Sequence, residues 1–185
     1  MDRQTDRQGK QRKLPKPATR ERLERAALAY LERFASSAEN LRRVLMRRVD
    51  RSARLHGTDR TEGAGWVDAM VERYTRVGLI DDRTYAEAVT RSLRRRGGSA
   101  RMVKMKLSAK GVDADTVIAA LDATGGGDDA SDLQAAFAYA RRRRLGPFGP
   151  AAARNDRRMR DMAALARAGF SYGTARKVVD AKEEE

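Results

Sequence analysis

The stretch from Leu79 to Leu121 narrows most sharply what this chain can fold into, because it spells three helical segments in succession, each with its own start and stop signal. Asp81 or Asp82 can cap the first segment by accepting backbone N–H bonds, Ser99 the second and Asp113 the third. Gly97 and Gly111 supply the left-handed residues on which helices end. In the first segment Tyr85, Ala86, Val89 and Leu93 share one face, and in the second Met102, Val103 and Leu107 do. A compact three-helix unit follows from that punctuation.

The flanking segments vary the same theme. Upstream, a helix starts near Thr19 and turns Leu23, Ala26, Ala27, Tyr30, Leu31 and Phe34 inward. Ser36 with Glu39 three residues on reads as a capping box, opening a helix whose buried face is Ala38, Leu41, Leu45 and Val49. From Asp50 to Gly65 the pattern lapses, and a long loop is expected there, with room to prolong the preceding helix by a turn. A third helix then carries Trp66, Val67, Met70, Tyr74 and Val77, and Gly78 stops it. Downstream of the joint at Gly125-Gly126-Gly127, Leu133, Ala136, Phe137 and Ala140 mark a helix that finishes in Arg141, Arg142, Arg143 and Arg144. Gly146-Pro147-Phe148-Gly149-Pro150 halts it, and the next helix places Met159, Met162, Ala163 and Ala166 inward. Phe170 leads into a last short helix bearing Ala175, Val178 and Val179.

Superposing Gly111 on Gly169 puts Leu107 on Leu165, Val112 on Phe170, Asp113 on Ser171, Ala120 on Val178 and Leu121 on Val179. Leu41 and Leu45 match Val103 and Leu107 in the same way, with Val49 at the glycine position. The expected fold is all-α: three tandem three-helix repeats over 19–78, 79–124 and 128–182, forming an elongated helical array in which neighbours complete one another's cores. Residues 1–18 read as a disordered basic arm, and the three terminal glutamates, opposing the helix dipole, should fray.

Forty basic against 26 acidic residues leave a formal charge of +14, which favours a polyanionic partner. The absence of cysteine and the single histidine, His56, exclude disulfides, thiolate metal sites and the common nucleophilic triads. No apolar run approaches the roughly 20 residues of a membrane span, so a cytoplasmic chain with no membrane partner is expected. Asp81 and Asp82 are explained by capping rather than acid–base chemistry, since no histidine or metal-ligand partner accompanies them. His56 sits in a polar segment and should be exposed. Neither glycine-rich segment has the Lys-Ser/Thr of a phosphate loop. Trp66, Tyr74, Tyr85 and Phe137 could stack on bases, but their helical register with other apolar residues makes them core. No catalytic residue, metal or cofactor is expected.

The tandem units, the Leu79-Ile80-Asp81-Asp82 start with Tyr85-Ala86, the Leu107-Ser-Ala-Lys-Gly111-Val112 turn and Ala168-Gly169-Phe170-Ser171 resemble the RecX family of recombination regulators over about residues 20 to 180. That resemblance implies a monomeric modulator that binds the RecA recombinase in the groove of its filament on single-stranded DNA. It implies inhibition of strand exchange and ATP hydrolysis in recombination, DNA repair and the SOS response.

Arginines recur opposite the apolar stripes in all three units. Arg43, Arg47, Arg91, Arg94, Arg95, Arg101, Lys104, Arg141, Arg142, Arg143 and Arg144 are the candidate surface for the filament or its DNA. Any one such cluster could be solvated helix surface, and the four successive arginines a frayed, solubilising helix end. The competing functional reading is a stand-alone basic helical DNA-binding or nucleoid-associated protein that needs no recombinase.

Overall fold

A computed structural model describes residues 14–181. The basic arm up to residue 13 and the terminal glutamates lie outside the described residues. Among those described there is no strand; the chain forms α1 (Arg20–Leu31), α2 (Ala38–His56), α3 (Arg60–Arg76), α4 (Asp82–Arg95), α5 (Ala100–Ala109), α6 (Ala114–Ala123), α7 (Asp129–Arg143), α8 (Arg154–Arg167) and α9 (Tyr172–Val179). Two single 3-10 turns, Gly146–Phe148 and Ala151–Ala153, bridge α7 and α8.

Local chemistry sets these boundaries. The side chains of Thr19, Ser37, Asp59, Asp81, Ser99, Asp113, Asp128 and Ser171 each accept a backbone N–H two or three residues on. The chain enters α8 through the 3-10 turns. Ser37 therefore holds the position expected for Ser36, and Asp81 caps α4. Asp82 instead accepts the Ala38 N–H at 2.8 Å. Gly97 and Gly111 have φ of 73° and 76°, as their sequence positions require.

The expected Asp50 to Gly65 loop is largely helix. α2 continues to His56, and only Gly57, Thr58 and Asp59 separate it from α3. Two residues, one serine and one glycine, misled the pattern. Ser52 is buried, and its hydroxyl meets Thr58 Oγ1 at 2.6 Å and accepts the Ala18 N–H at 2.7 Å. Gly63 is a close-approach residue inside α3, since a Cβ there would lie 2.6 Å from Val49 Cγ1. His56 is exposed, but on the last turn of α2, with Nε2 2.6 Å from the Pro15 carbonyl.

Buried apolar residues form three clusters. The first draws Leu23, Leu41, Leu45, Val49, Val67 and Tyr74 from α1 to α3. The second draws Ala86, Val103, Leu107, Val117 and Leu121 from α4 to α6. The third draws Ala136, Ala140, Met162, Leu165, Phe170 and Val178 from the segment after Asp128. Phe34, expected inward, lies beyond the end of α1 and is 52% exposed. In α8 the buried face is Asp161, Met162, Leu165 and then Ala168, while Met159 is 74% exposed. Asp161 caused that one-position error: a charged residue occupies the stripe, and apolar spacing alone passes over it.

The clusters are joined by two junctions of the same design. At the first, the Ser37 hydroxyl donates to the Lys110 carbonyl at the end of α5, and the Ala38 N–H goes to Asp82. At the second, the Ser99 hydroxyl donates to the Ala168 carbonyl at the end of α8 at 2.7 Å, and the Ala100 N–H goes to Asp132 at 2.9 Å. Each serine also caps its own helix, so one hydroxyl starts a helix and closes another three helices on. Gly111 lies against Glu39 and Gly169 against Ser99 and Arg101, with no room for a side chain at either glycine.

Candidate interaction surface

The arginines singled out from sequence divide into structural and free groups. Arg94 belongs to the fold: its side chain is only 11% exposed, pairs with Asp132, and donates to the Gly98 carbonyl at 3.0 Å. Arg43 bonds Glu39 at 2.8 Å and the Ala109 carbonyl at 2.8 Å, so it clamps the first junction from outside. Arg91 pairs with Glu87, one turn back, at 3.3 Å. Arg47, Arg95, Arg101 and Lys104 are exposed and have no carboxylate within ion-pair distance among the described residues.

The four successive arginines are ordered rather than frayed. α7 runs through Arg143, Arg144 takes a left-handed conformation with φ 54°, and the Leu145 N–H closes the turn onto the Ala140 carbonyl at 2.9 Å. Arg144 thus holds the place that Gly97 holds after α4. The other three are spread over aromatic faces: Arg141 over Phe148 at 5.1 Å, Arg142 over Tyr139 at 5.6 Å and Arg143 over Tyr139 at 5.9 Å. The acidic first turn of α7 and its basic last turn both complement the helix dipole.

The end of α7 meets the end of α4 around a hollow of about 580 Å³. Phe137, Ala138 and Gln134 line it together with Arg95, Arg96, Arg141 and Arg142. Three of these arginines were read from sequence; Arg96 was not. The Phe137 ring is half-buried, packed against the third cluster and edge-on to Phe148 at 6.4 Å, so it belongs to the core as its register predicts, while the guanidinium groups around it suit phosphate oxygens.

The acidic residues carry no comparable site. Hydrogen bonds from Thr84 hold the Asp81 carboxyl below its usual range, and the backbone N–H groups of Thr116 and Ser131 do the same for Asp113 and Asp128, as helix caps require. Burial pushes Asp82 the other way. No cluster of metal-ligating side chains occurs among the described residues. No helix among them is long and apolar enough to cross a membrane.

The family model for the second three-helix domain of RecX matches residues 81–121, the stretch that punctuates the sequence most clearly. The regulatory protein RecX of Myxococcus xanthus is 46% identical over 170 residues, covering 91% of this chain and 89% of that protein. The chain belongs to the RecX family. RecX of Agrobacterium fabrum is 32% identical over 160 residues, covering 86% of this chain and 83% of its own. The fold is shared with the crystal structure of RecX from Lactobacillus salivarius, with a TM-score of 0.59 at 19% identity over 86% of this chain and 94% of that one. A regulatory role comes with membership of RecX.

In this RecX chain a second basic group is not apparent from the apolar pattern. Arg157, Arg160 and Arg167 lie on one face of α8, beside Arg142 and Arg143. Their spacing of three and then seven residues is a helical stripe, a signal present in the sequence but overshadowed by the apolar positions.

Proposed function

We infer that this RecX-family protein acts by binding rather than catalysis: it engages the RecA recombinase filament on single-stranded DNA and restrains strand exchange and ATP hydrolysis. The observation that carries the reading is the arginine-lined hollow at Phe137, built jointly by the ends of α4 and α7 and free of acidic partners among the described residues. A surface shared between successive helix groups suits an extended polyanionic partner better than a small ligand. The division into units over 19–78, 79–124 and 128–182 belongs to this proposal, as do action as a monomer and a cytoplasmic location.

The experiment measures DNA-dependent ATP hydrolysis by the recombinase with substoichiometric protein, then repeats it with excess competitor DNA. Slowing that survives competitor DNA is expected. Complete loss of the effect would favour a protein that merely coats nucleic acid, the reading that a charge of +14 alone would support.

A further inference from the structure

A second hollow, of about 630 Å³, runs along α8 beside the end of α7. Five arginines line it, namely Arg142, Arg143, Arg157, Arg160 and Arg167, against one carboxylate, Asp161. That carboxylate is already engaged: it accepts the Gly146 N–H at 2.9 Å and lies 3.8 Å from Arg157. Arg142, Arg143, Arg160 and Arg167 have no carboxylate within ion-pair distance among the described residues. Like charges gathered in a concavity raise one another's energy, and an anion between them lowers it.

The corresponding helix of the preceding group lacks these arginines. Superposing Gly111 on Gly169 puts Arg157 on Ser99, Arg160 on Met102 and Arg167 on Ala109. Thus α5, the corresponding helix of the preceding group, is built with serine, methionine and alanine at the same places. The same superposition puts Asp161 on Val103, so the carboxylate that steadies Arg157 is also particular to this helix. Where Ser99 closes onto a following helix, Arg157 instead reaches the Arg144 carbonyl at 3.2 Å. Tyr139, under Arg142 and Arg143, limits the orientations of those two guanidinium groups.

We propose that this hollow is a phosphate site, holding backbone phosphates of the single strand. It rests on the functional reading above and assigns it a second binding region. Planar guanidinium groups suit phosphate oxygens through paired N–H donors. The strand's remaining interactions come from the arginines around Phe137, which share Arg142 with this site.

The test uses the full chain, a labelled oligo-dT and the double variant Arg160→Gln/Arg167→Gln, with Arg20→Gln/Arg25→Gln on α1 as a control of equal charge loss. The first variant should bind about tenfold more weakly at moderate salt. Its log–log salt slope should flatten by about 0.7 for each phosphate that is no longer neutralised. The control should change neither by comparable amounts, and Arg160→Lys/Arg167→Lys should recover the slope. Inorganic pyrophosphate should compete with the strand on the unaltered protein and less on the glutamine variant. Equal losses in the glutamine variant and the control would overturn the proposal, leaving net charge as the explanation. Unchanged DNA binding with lost inhibition of the recombinase would also overturn it, assigning the hollow to an acidic protein surface while the regulatory reading stands. A changed salt slope in a protein that never slows the recombinase would sustain the phosphate site and sink the regulatory reading.

Discussion

Gly97 and Gly57 show how one residue type carries two unequal constraints. Both are left-handed, with φ of 73° and 67°. A Cβ at Gly97 would lie 2.5 Å from the Tyr139 backbone nitrogen and 2.8 Å from the Ala135 carbonyl oxygen, whereas at Gly57 it would meet nothing within 4 Å. Gly57→Ala should cost about 1 kcal/mol, the left-handed penalty alone. Gly97→Ala adds a collision with backbone that cannot rotate away and should cost about 3 kcal/mol or more. Urea unfolding of both variants checks the ranking, and equal losses would refute the close approach. Arg94 and Arg95 differ in the same way. Arg94→Ala leaves the mostly buried Asp132 with the Ala100 N–H but no counter-charge and should cost about 3 kcal/mol. Arg95→Ala should change stability by less than about 0.5 kcal/mol and weaken DNA binding instead. The two neighbours look alike in sequence because their difference is made by Asp132, 38 residues from Arg94.

The helices owe their ends to short polar side chains, and this predicts an acid limb in stability. Asp81, Asp113 and Asp128 have folded pKa values below the ordinary aspartate range, because Asp81 accepts the Thr84 hydroxyl and N–H, and Asp113 and Asp128 accept the Thr116 and Ser131 N–H groups of the first turns they cap. A depressed folded value means that the stabilisation is complete above the unfolded value of about 3.9 and is lost as pH falls through the folded one. Asp82, raised by burial, contributes with the opposite sign and so partly offsets the trend as pH falls. Asn is an equally good cap that does not titrate. The stability gap between the native chain and Asp81→Asn/Asp113→Asn/Asp128→Asn should therefore hold steady above about pH 4 and narrow as pH falls below it. A gap constant with pH would mean that these carboxylates contribute through geometry alone. Helix α8, entered through 3-10 turns, is the one whose buried face sequence spacing misplaced.

The assembled chain depends on Ser37 and Ser99 at its two junctions. Each hydroxyl accepts from its own helix and donates to a carbonyl 73 or 69 residues away. Ser99→Ala removes the cap on Met102 and the donor to the buried end of α8, and should cost about 2 kcal/mol. Ser37→Ala should cost a similar amount, and the double variant should lose the sum, since the junctions share no partner. Thermal unfolding of the three variants checks this. A double variant no worse than either single one would mean that the junctions act as one.

Much of the helical layout was legible, because a cap or a left-handed glycine acts within about four residues of itself and leaves its signal in adjacent positions. The all-α class, the ends of α4, α5 and α6, and the basic character of the candidate surface are all of this local kind. Burial of polar groups was not legible. Ser52 and Asp161 inside, Gly63 against Val49, and Arg94 withdrawn from the surface all depend on partners brought close only when helices pack. The same holds for the arginines that share a hollow: Arg95 with Arg141, and Arg142 with Arg160. Hydrophobic spacing records which way a helix faces, but charge meets charge only across helices, and that geometry is fixed by the serine junctions and the clusters between them.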